Sequence, residues 1–485
     1  MDFACIVLFL AFYYLKPQEW APIFGTIHFV QLTIGASLCS LFFRERSLKI
    51  IDFFKTPQDW AVFAFIVWGI FSSPEPNGVF GEFSTRYVFY FVTVLTLTSY
   101  FRLNKFLGWW TFFIAITAIL ALAGEFFWDP LDSYAITHGR MKDRLILNLS
   151  MVNNPNALAH TLAPGVAMLY YSMIWKRPIV LKAFGYVGIA LIIYAIYLTF
   201  SKGGYIIAAM TVVAIFTFGR PKYVQVGIIV IVASMGSAAI YSLPRMNELQ
   251  NSKADPAIQG RIASFRHGYS YYNRYITGVG YGNFMGRQLA EYKLNKAPHS
   301  VYNAIGAQQG KPGMFLFLLI MWSNFRTLLF LRTRTNEEER ARRILFALVF
   351  SYALSGWMVD FAYRPSFFLF AAAISVIHRL AYIYEPSPED HAVERPKWMP
   401  NPMPYMRNAT LPKSSTPYVP TVKEPESSGS WSKQHKEPEE LESNTAPAGA
   451  GVKKARHGFD WIDIVVTLVF MKAVAVAWVY FINNI

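Results

Sequence analysis

Thirteen apolar runs punctuate this chain of 485 residues, near 2–15, 22–43, 58–73, 86–101, 107–128, 156–175, 180–200, 203–219, 223–243, 299–331, 341–360, 365–384 and 460–481. About twenty apolar residues in a helix cross roughly 30 Å of hydrocarbon, and most of these runs reach or nearly reach that length. Inside lipid the backbone must satisfy its own hydrogen bonds, and an apolar run does so as a helix. Composition agrees: 54% of the residues are hydrophobic, 17% aromatic and only 15% charged, the profile of a polytopic membrane protein rather than a soluble domain. The fold class implied is all-α, with about twelve core transmembrane helices and one C-terminal span. Cys5 and Cys39 both sit inside apolar runs, so neither a disulfide framework nor a cysteine metal site is offered. The Met-Asp-Phe-Ala start lacks the basic region of a signal peptide, and the first run is expected to be a retained helix.

Orientation follows from the lysines and arginines between runs. One set of connections carries sixteen, including Arg44 and Arg46, Arg102 and Lys105, Lys176 and Arg177, Arg220 and Lys222, and Arg332 to Arg343. The short connections of the other set carry four: Lys16, Arg86, Lys202 and Arg364. The first set is expected to be cytoplasmic, which turns the long polar loops 129–155 and 244–298 outward. Residues 385–458 hold twelve of the 27 prolines and balance ten basic against ten acidic side chains. They are expected to form a disordered cytoplasmic tail able to bind a partner. Three parts result: a membrane domain 1–384, the tail 385–458 and a last span 459–485 with Lys472 near its middle.

The loop 244–298 concentrates the chemistry. Eight basic residues, among them Arg261, Arg266, Arg274, Arg287 and Lys296, face only Glu248, Asp255 and Glu291. Asp255-Pro256 suits a helix start. Ile258, Ile262, Phe265, Tyr269, Tyr272 and Ile276 then recur in steps of three and four, an apolar stripe expected to lie along a membrane surface. Gly278-Val-Gly-Tyr-Gly282 leads on to His299. The arrangement suits an anionic, lipid-attached ligand. The formal charge of +15 also raises nucleic acid as a partner, but no nucleic-acid module is legible and the cations flank the membrane; lipid headgroups and phosphate fit better.

Several segments in order resemble one family. Asn154-Pro-Asn156-Ala-Leu-Ala159, Ser201-Lys-Gly-Gly204, Gly260-Arg261, Gly278-Val-Gly-Tyr-Gly-Asn-Phe284, Pro298-His299-Ser300 and Gln309-Gly310-Lys-Pro-Gly313 are similar to the O-antigen ligase and O-antigen polymerase superfamily, over roughly residues 60–380. Pro17-Gln-Glu-Trp20 also resembles the O-glycosylation ligases that accompany exosortase systems. The chain departs from the family at Lys202, where Arg is usual, at Ser300, where Asn is frequent, and at His267, where Trp is frequent. The resemblance implies a GT-C-like helical glycosyltransferase of the bacterial inner membrane, active at its periplasmic face. The donor implied is a glycan on undecaprenyl diphosphate, the acceptor a lipid A core, a growing polysaccharide or a protein, and no cofactor or metal is implied.

The residues fit that chemistry on their own terms. A departing diphosphate needs preorganised cations, and an acceptor hydroxyl needs a base that an imidazole can supply. His299 is the expected base and Arg261 its catalytic partner. Lys202, Arg266, Arg86 and Arg274 are candidates for the diphosphate, and Asn156, Asp360 and Arg364 are further candidates. Each has a plainer role beside it: His299 at a helix start, Lys202 anchoring a span at the interface, Asp360 and Arg364 pairing with each other. The glycine run lacks the βαβ context of a nucleotide site; it lets backbone approach a diphosphate or turn tightly. No carboxylate pair in the outward loops supports glycoside hydrolysis, and no metal-ligand spacing occurs. A flippase or transporter of lipid-linked saccharide is the alternative class. Such proteins usually carry repeats and midplane breaks, whereas here the polar residues gather at one face. Cysteine labelling of intact spheroplasts checks the topology: Ser252→Cys is expected to react from outside and Ser428→Cys to stay protected, and the reverse pattern refutes it.

Overall fold

The computed structural model describes residues 2–25, 28–44, 53–242, 256–382 and 458–484, all within one compact unit. Seventeen α-helices are seen among them, and no strand. The first eight are α1 (Asp2–Leu15), α2 (Pro17–Trp20), α3 (Phe29–Arg44), α4 (Pro57–Phe71), α5 (Pro76–Thr96), α6 (Tyr100–Phe126), α7 (Ser133–His138) and α8 (Pro155–Leu169), the last continued by a π-turn over Tyr170–Ile174. Then come α9 (Ile179–Leu198), α10 (Lys202–Thr217), α11 (Lys222–Ser242), α12 (Pro256–Arg274), α13 (Phe284–Tyr292), α14 (Val301–Phe330), α15 (Asn336–Ser355), α16 (Pro365–Tyr382) and α17 (Trp461–Asn484). Six helices are long and apolar enough to cross a membrane: α6, α8 with its π-turn, α9, α14, α16 and α17. The protein is an all-α polytopic membrane protein. The expected tail, the Asp255 cap and loop residues Arg245, Glu248 and Lys253 lie outside the described residues.

Every apolar run has its helix, but four helices differ from expectation in ways that matter, three of them on apolar runs and one in the loop 244–298. Helix α5 begins at Pro76, ten residues before its run, because Val79 and Phe83 carry its buried face into the polar stretch. Arg86 is therefore well inside a helix, not at its mouth. Helix α15 likewise begins at Asn336, capped by Thr335, whose hydroxyl accepts from the Glu338 amide at 3.2 Å. Arg340, Arg342 and Arg343, expected in a connection, are thus helical and buried, the first paired with Glu337 and the other two with Glu339. Asp360 falls beyond the end of that helix.

Helix α14 is broken. Gly310 has φ 67° and ψ −159°, and from Lys311 to Phe330 the second part is about 30 Å long, enough by itself to cross hydrocarbon. The Val279 and Gly280 amides donate to the Ala307 and Gln308 carbonyls at 2.9 and 2.8 Å, and the Lys311 amide donates to Ile276 at 3.1 Å. A Cβ at Gly310 would stand 1.9 Å from the Ile276 oxygen, and one at Gly278 would stand 2.4 Å from the Gln308 carbonyl. Only glycine permits this approach at positive φ.

The fourth difference concerns α12. Its stripe, expected on a membrane surface, is covered by protein: α12 runs in the same direction as the first part of α14, and Ile262, Phe265 and Tyr272 are buried. Ile276 lies past the helix end and is 68% exposed. The C-terminal span completes the cover. Trp478 of α17 donates its indole N–H to the Phe265 carbonyl at 3.0 Å and packs against the rings of Tyr269 and Tyr272. Toward the other end of α17, Asp463 forms a buried ion pair with Arg326 of α14 and accepts the Trp322 indole N–H at 2.9 Å. Breaking a buried pair leaves an uncompensated charge and costs about 3–5 kcal/mol. Asp463→Ala is expected to lower the unfolding midpoint of the detergent-solubilised protein accordingly, and adding Arg326→Met is expected to restore most of the loss.

Candidate active site

The first part of α14 and the start of α12 are tied by one carboxamide. Asn303 donates from Nδ2 to the Ser264 carbonyl at 3.2 Å and to the Pro298 carbonyl at 2.8 Å, while Ser264 Oγ donates to the Ala297 carbonyl at 2.9 Å. Gly268 makes room for it, since a Cβ there would lie 1.7 Å from Asn303 Oδ1. Arg261, about one turn before Ser264, is thereby held near His299, which directly precedes the cap of α14. That cap, Ser300, accepts from the Asn303 amide at 3.3 Å and donates to the Gly356 carbonyl at 2.8 Å. His299 has φ 53°, a left-handed conformation that histidine tolerates better than most residues.

Two more helix N-termini meet there. Asn154 caps α8 by accepting from the Asn156 amide at 2.9 Å, and Ser201 caps α10 by accepting from the Gly204 amide at 3.2 Å. Asn156 Oδ1 joins the two caps, accepting from Ser201 Oγ at 2.8 Å and from Arg144 Nη2 at 3.1 Å. Lys202 opens α10. At Gly203 a Cβ would stand 2.9 Å from His160 Nε2 and 2.8 Å from Met358 Sδ, and His160 Nδ1 lies 2.9 Å from Ser355 Oγ. The charge of Arg261 acts on both His160 and His299. Helix N-termini, with their unpaired amides and positive dipole ends, favour an anion, and Arg261 and Lys202 add full charges to that field.

Burial, with Arg261 and Lys296 beside it, pushes the His299 pKa down to about 4. The imidazole is therefore neutral at physiological pH. The sequence offered an imidazole for the base but no sign of its burial, which is the largest cause of the low pKa.

The other expected site residues divide. Arg266 is exposed on α12, and beyond the burial of His267 its charge further lowers the pKa of that neighbour. Arg274 is thirteen residues from Arg261, about 20 Å along the helix, and is engaged with Glu291 at 3.8 Å and the Tyr275 ring at 5.3 Å. Arg86 pairs with Glu82 at 3.0 Å, lies over the rings of Phe83 and Tyr281, and has a buried Nη1 with no hydrogen-bond partner. Arg364 donates to the Met151 carbonyl at 2.8 Å and stacks on Phe361 at 3.9 Å, so groups other than Asp360 hold it, and Asp360 acts on it through charge alone. The Asp360 side chain is solvent-accessible yet closely surrounded, and desolvation pushes its pKa up to about 6. Arg364 lines a cavity of about 60 Å³ with Tyr352, Ser355 and His160. The amides of Val279 and Gly280 are spent on α14, so here the glycine run packs a broken helix and does not bare its backbone to a diphosphate.

His160 and Arg144 were not singled out by sequence, and Lys296 was named only among the eight basic residues of its loop. His160 is a lone imidazole in an apolar run six residues after Asn154, a weak signal; Arg144 and Lys296 are two among many loop cations.

Residues 187–318 match the family model for O-antigen ligase. The matched segment holds Lys202, Arg261, His299 and the glycine run; Arg86, Asn156, Asp360 and Arg364 lie outside it. It is narrower than the span of the sequence resemblance. No curated protein matches the chain. The match supports an O-antigen ligase type of glycan transfer in general, with a lipid-linked glycan and an acceptor as partners in general terms.

An NMR titration of the His299 imidazole in the ligand-free protein is expected to give a midpoint near pH 4. Arg261→Gln removes a repelling charge and is expected to raise it. A midpoint at the ordinary value of about 6.5, insensitive to Arg261, would mean that the imidazole is solvated and remote from that cation.

Proposed function

We propose that this protein transfers a glycan from undecaprenyl diphosphate to an acceptor hydroxyl at the periplasmic face of the bacterial inner membrane. The observation that carries the reading is the placement of the His299 imidazole near Arg261, where the N-termini of α8, α10 and α14 converge. His299 takes the proton of the acceptor hydroxyl as its oxygen attacks the anomeric carbon. The bond from that carbon to the diphosphate oxygen breaks, and its electron pair leaves with the diphosphate. Arg261, Lys202 and the helix N-termini take up the growing negative charge. One in-line displacement inverts the anomeric centre.

The low pKa of His299 bears on the order of events. A base works best with a pKa near the ambient pH, and the free site is too acidic for that. Burial, the largest cause of that low pKa, persists with donor bound, but a diphosphate offsets the charges of Arg261 and Lys296, which raises the imidazole pKa part of the way and makes it a stronger base once donor is present. Lys202, in place of the usual guanidinium, meets phosphate as a compact point charge. Broken helices also occur in secondary transporters, but here the carbonyls of Ala307 and Gln308 are occupied by the Val279 and Gly280 amides.

Purified protein in lipid nanodiscs, given a lipid-diphosphate glycan and candidate acceptors, tests this. His299→Asn keeps the left-handed preference and is expected to lose about 10²- to 10⁴-fold in turnover while still binding donor. Lys202→Arg is expected to keep activity and Lys202→Ala to weaken donor use. The acid limb of kcat, which reports the donor-bound enzyme, is expected at higher pH than that of kcat/KM, which reports the free enzyme near pH 4. Retention of anomeric configuration refutes the single displacement, and near-normal turnover of His299→Asn refutes the base. Chain extension as against transfer to lipid or protein identifies the acceptor.

A further inference from the structure

A second cavity, of about 560 Å³, opens between the end of α4 and the stretch from Tyr275 to Ala290, within the size range of small-molecule sites. Gly280 draws its two sides together: a Cβ there would lie 2.2 Å from Pro74 Cδ. Ser73, Thr277 and Asn283 offer neutral hydroxyl and amide groups, and Tyr275 offers a ring. The Ser73 hydroxyl is buried and has no hydrogen-bond partner. Arg287 also lines the cleft, but Glu291 meets it at 3.0 Å and Tyr275 Oη at 3.3 Å. With that charge compensated, the lining suits a neutral, hydroxyl-rich ligand better than a phosphate.

The cleft is reached by following α12. Tyr275 is fourteen residues after Arg261, about 21 Å along the axis, and Arg266, Asn273 and Arg274 are exposed on the way. A single sugar cannot touch both places, whereas a linear saccharide can. We propose that this cleft is a glycan-chain subsite, holding sugar units well removed from the bond made or broken at His299. The inference rests on the proposed function for its link to His299, but the binding it asserts stands apart from turnover. Either the donor chain or the acceptor chain supplies the saccharide.

Helix α13 provides the variant. A Cβ at Gly286 would meet nothing within 4 Å, so a side chain can leave the backbone there, and Gly286→Trp is expected to obstruct the cleft that Gly286 lines. The probe is the oligosaccharide released by mild acid from the lipid-diphosphate glycans of the producing cells, separated into single-unit and multi-unit pools and titrated calorimetrically into the full-length protein. The multi-unit pool is expected to bind wild type and to lose binding to Gly286→Trp. Ser73→Ala, which removes a hydroxyl no protein group uses, is expected to leave the unfolding midpoint unchanged and to weaken binding about two- to tenfold. In turnover, Gly286→Trp is expected to raise KM for a multi-unit substrate and to leave a single-unit lipid donor unaffected. Pairing a long donor with a short acceptor, and the reverse, tells which chain lies in the cleft. Unchanged multi-unit binding and KM in a folded Gly286→Trp overturn the proposal. A wild type that turns over no donor yet binds the oligosaccharide in a Gly286-sensitive way overturns the transfer reading and keeps the cleft.

Discussion

A helix that unwinds in apolar surroundings leaves carbonyls that its own turns no longer serve, and each must find a donor. At Gly310 the donors are the amides of Val279 and Gly280, and that exchange organises the site end of the molecule. The stretch that supplies them continues directly from α12, so meeting the need of α14 also draws α12 alongside it. Asn303 then fixes the two at their other end through Ser264 and Pro298. Arg261 and His299 are neighbours because two chain segments are stitched at both ends of a short parallel run, not because either side chain binds the other.

The cover over that run comes from a span outside the family-matched segment. Trp478 closes on Phe265, Tyr269 and Tyr272, and the Arg326–Asp463 pair anchors the same helix to the second part of α14. The ion pair limits how α17 can slide, since a shift of one turn would strand two charges in a buried place. The last span thus differs from the tail 385–458, of which only partner binding was expected: α12 carries Arg261 on a helix whose apolar face depends on the cover that α17 supplies.

The sequence was informative where one residue type has one physical meaning. Apolar length located the helices, and the cation-rich stretch raised Arg261 and His299 as candidates, which the structure brings near each other. It misled where packing reverses the ordinary sense of a residue. Arg340, Arg342 and Arg343 look like a solvated connection, yet Glu337 for the first, a shared Glu339 for the other two and nearby helix ends let them be buried. The stripe on α12 matches a membrane-surface helix as well as a protein-covered one, for periodicity says which face is apolar and not what covers it. The glycines at 278, 280 and 310 announced a close approach without naming the partner, which is a distant piece of backbone.

The buried arginines of α15 bear on the site from the far ends of the same helices. Arg340 donates to the Tyr171 carbonyl at 3.0 Å in the π-turn that continues α8, Arg343 to the Phe218 carbonyl at 3.5 Å at the end of α10, and Arg342 to the Leu328 and Leu331 carbonyls at 3.4 Å at the end of α14. These are the three helices whose N-termini converge near His299. Cations at C-termini and an anion at N-termini both act with the helix dipole. Glu339 bonds Arg342 and Arg343, so the cluster is compensated and its main effect is to satisfy carbonyls and fix where each helix ends. For α8 and α10 that sets how far each N-terminus projects toward Lys202 and Asn156. For α14 the break at Gly310 interrupts the relation, and its first part is positioned instead by Asn303 and the 278–280 amides.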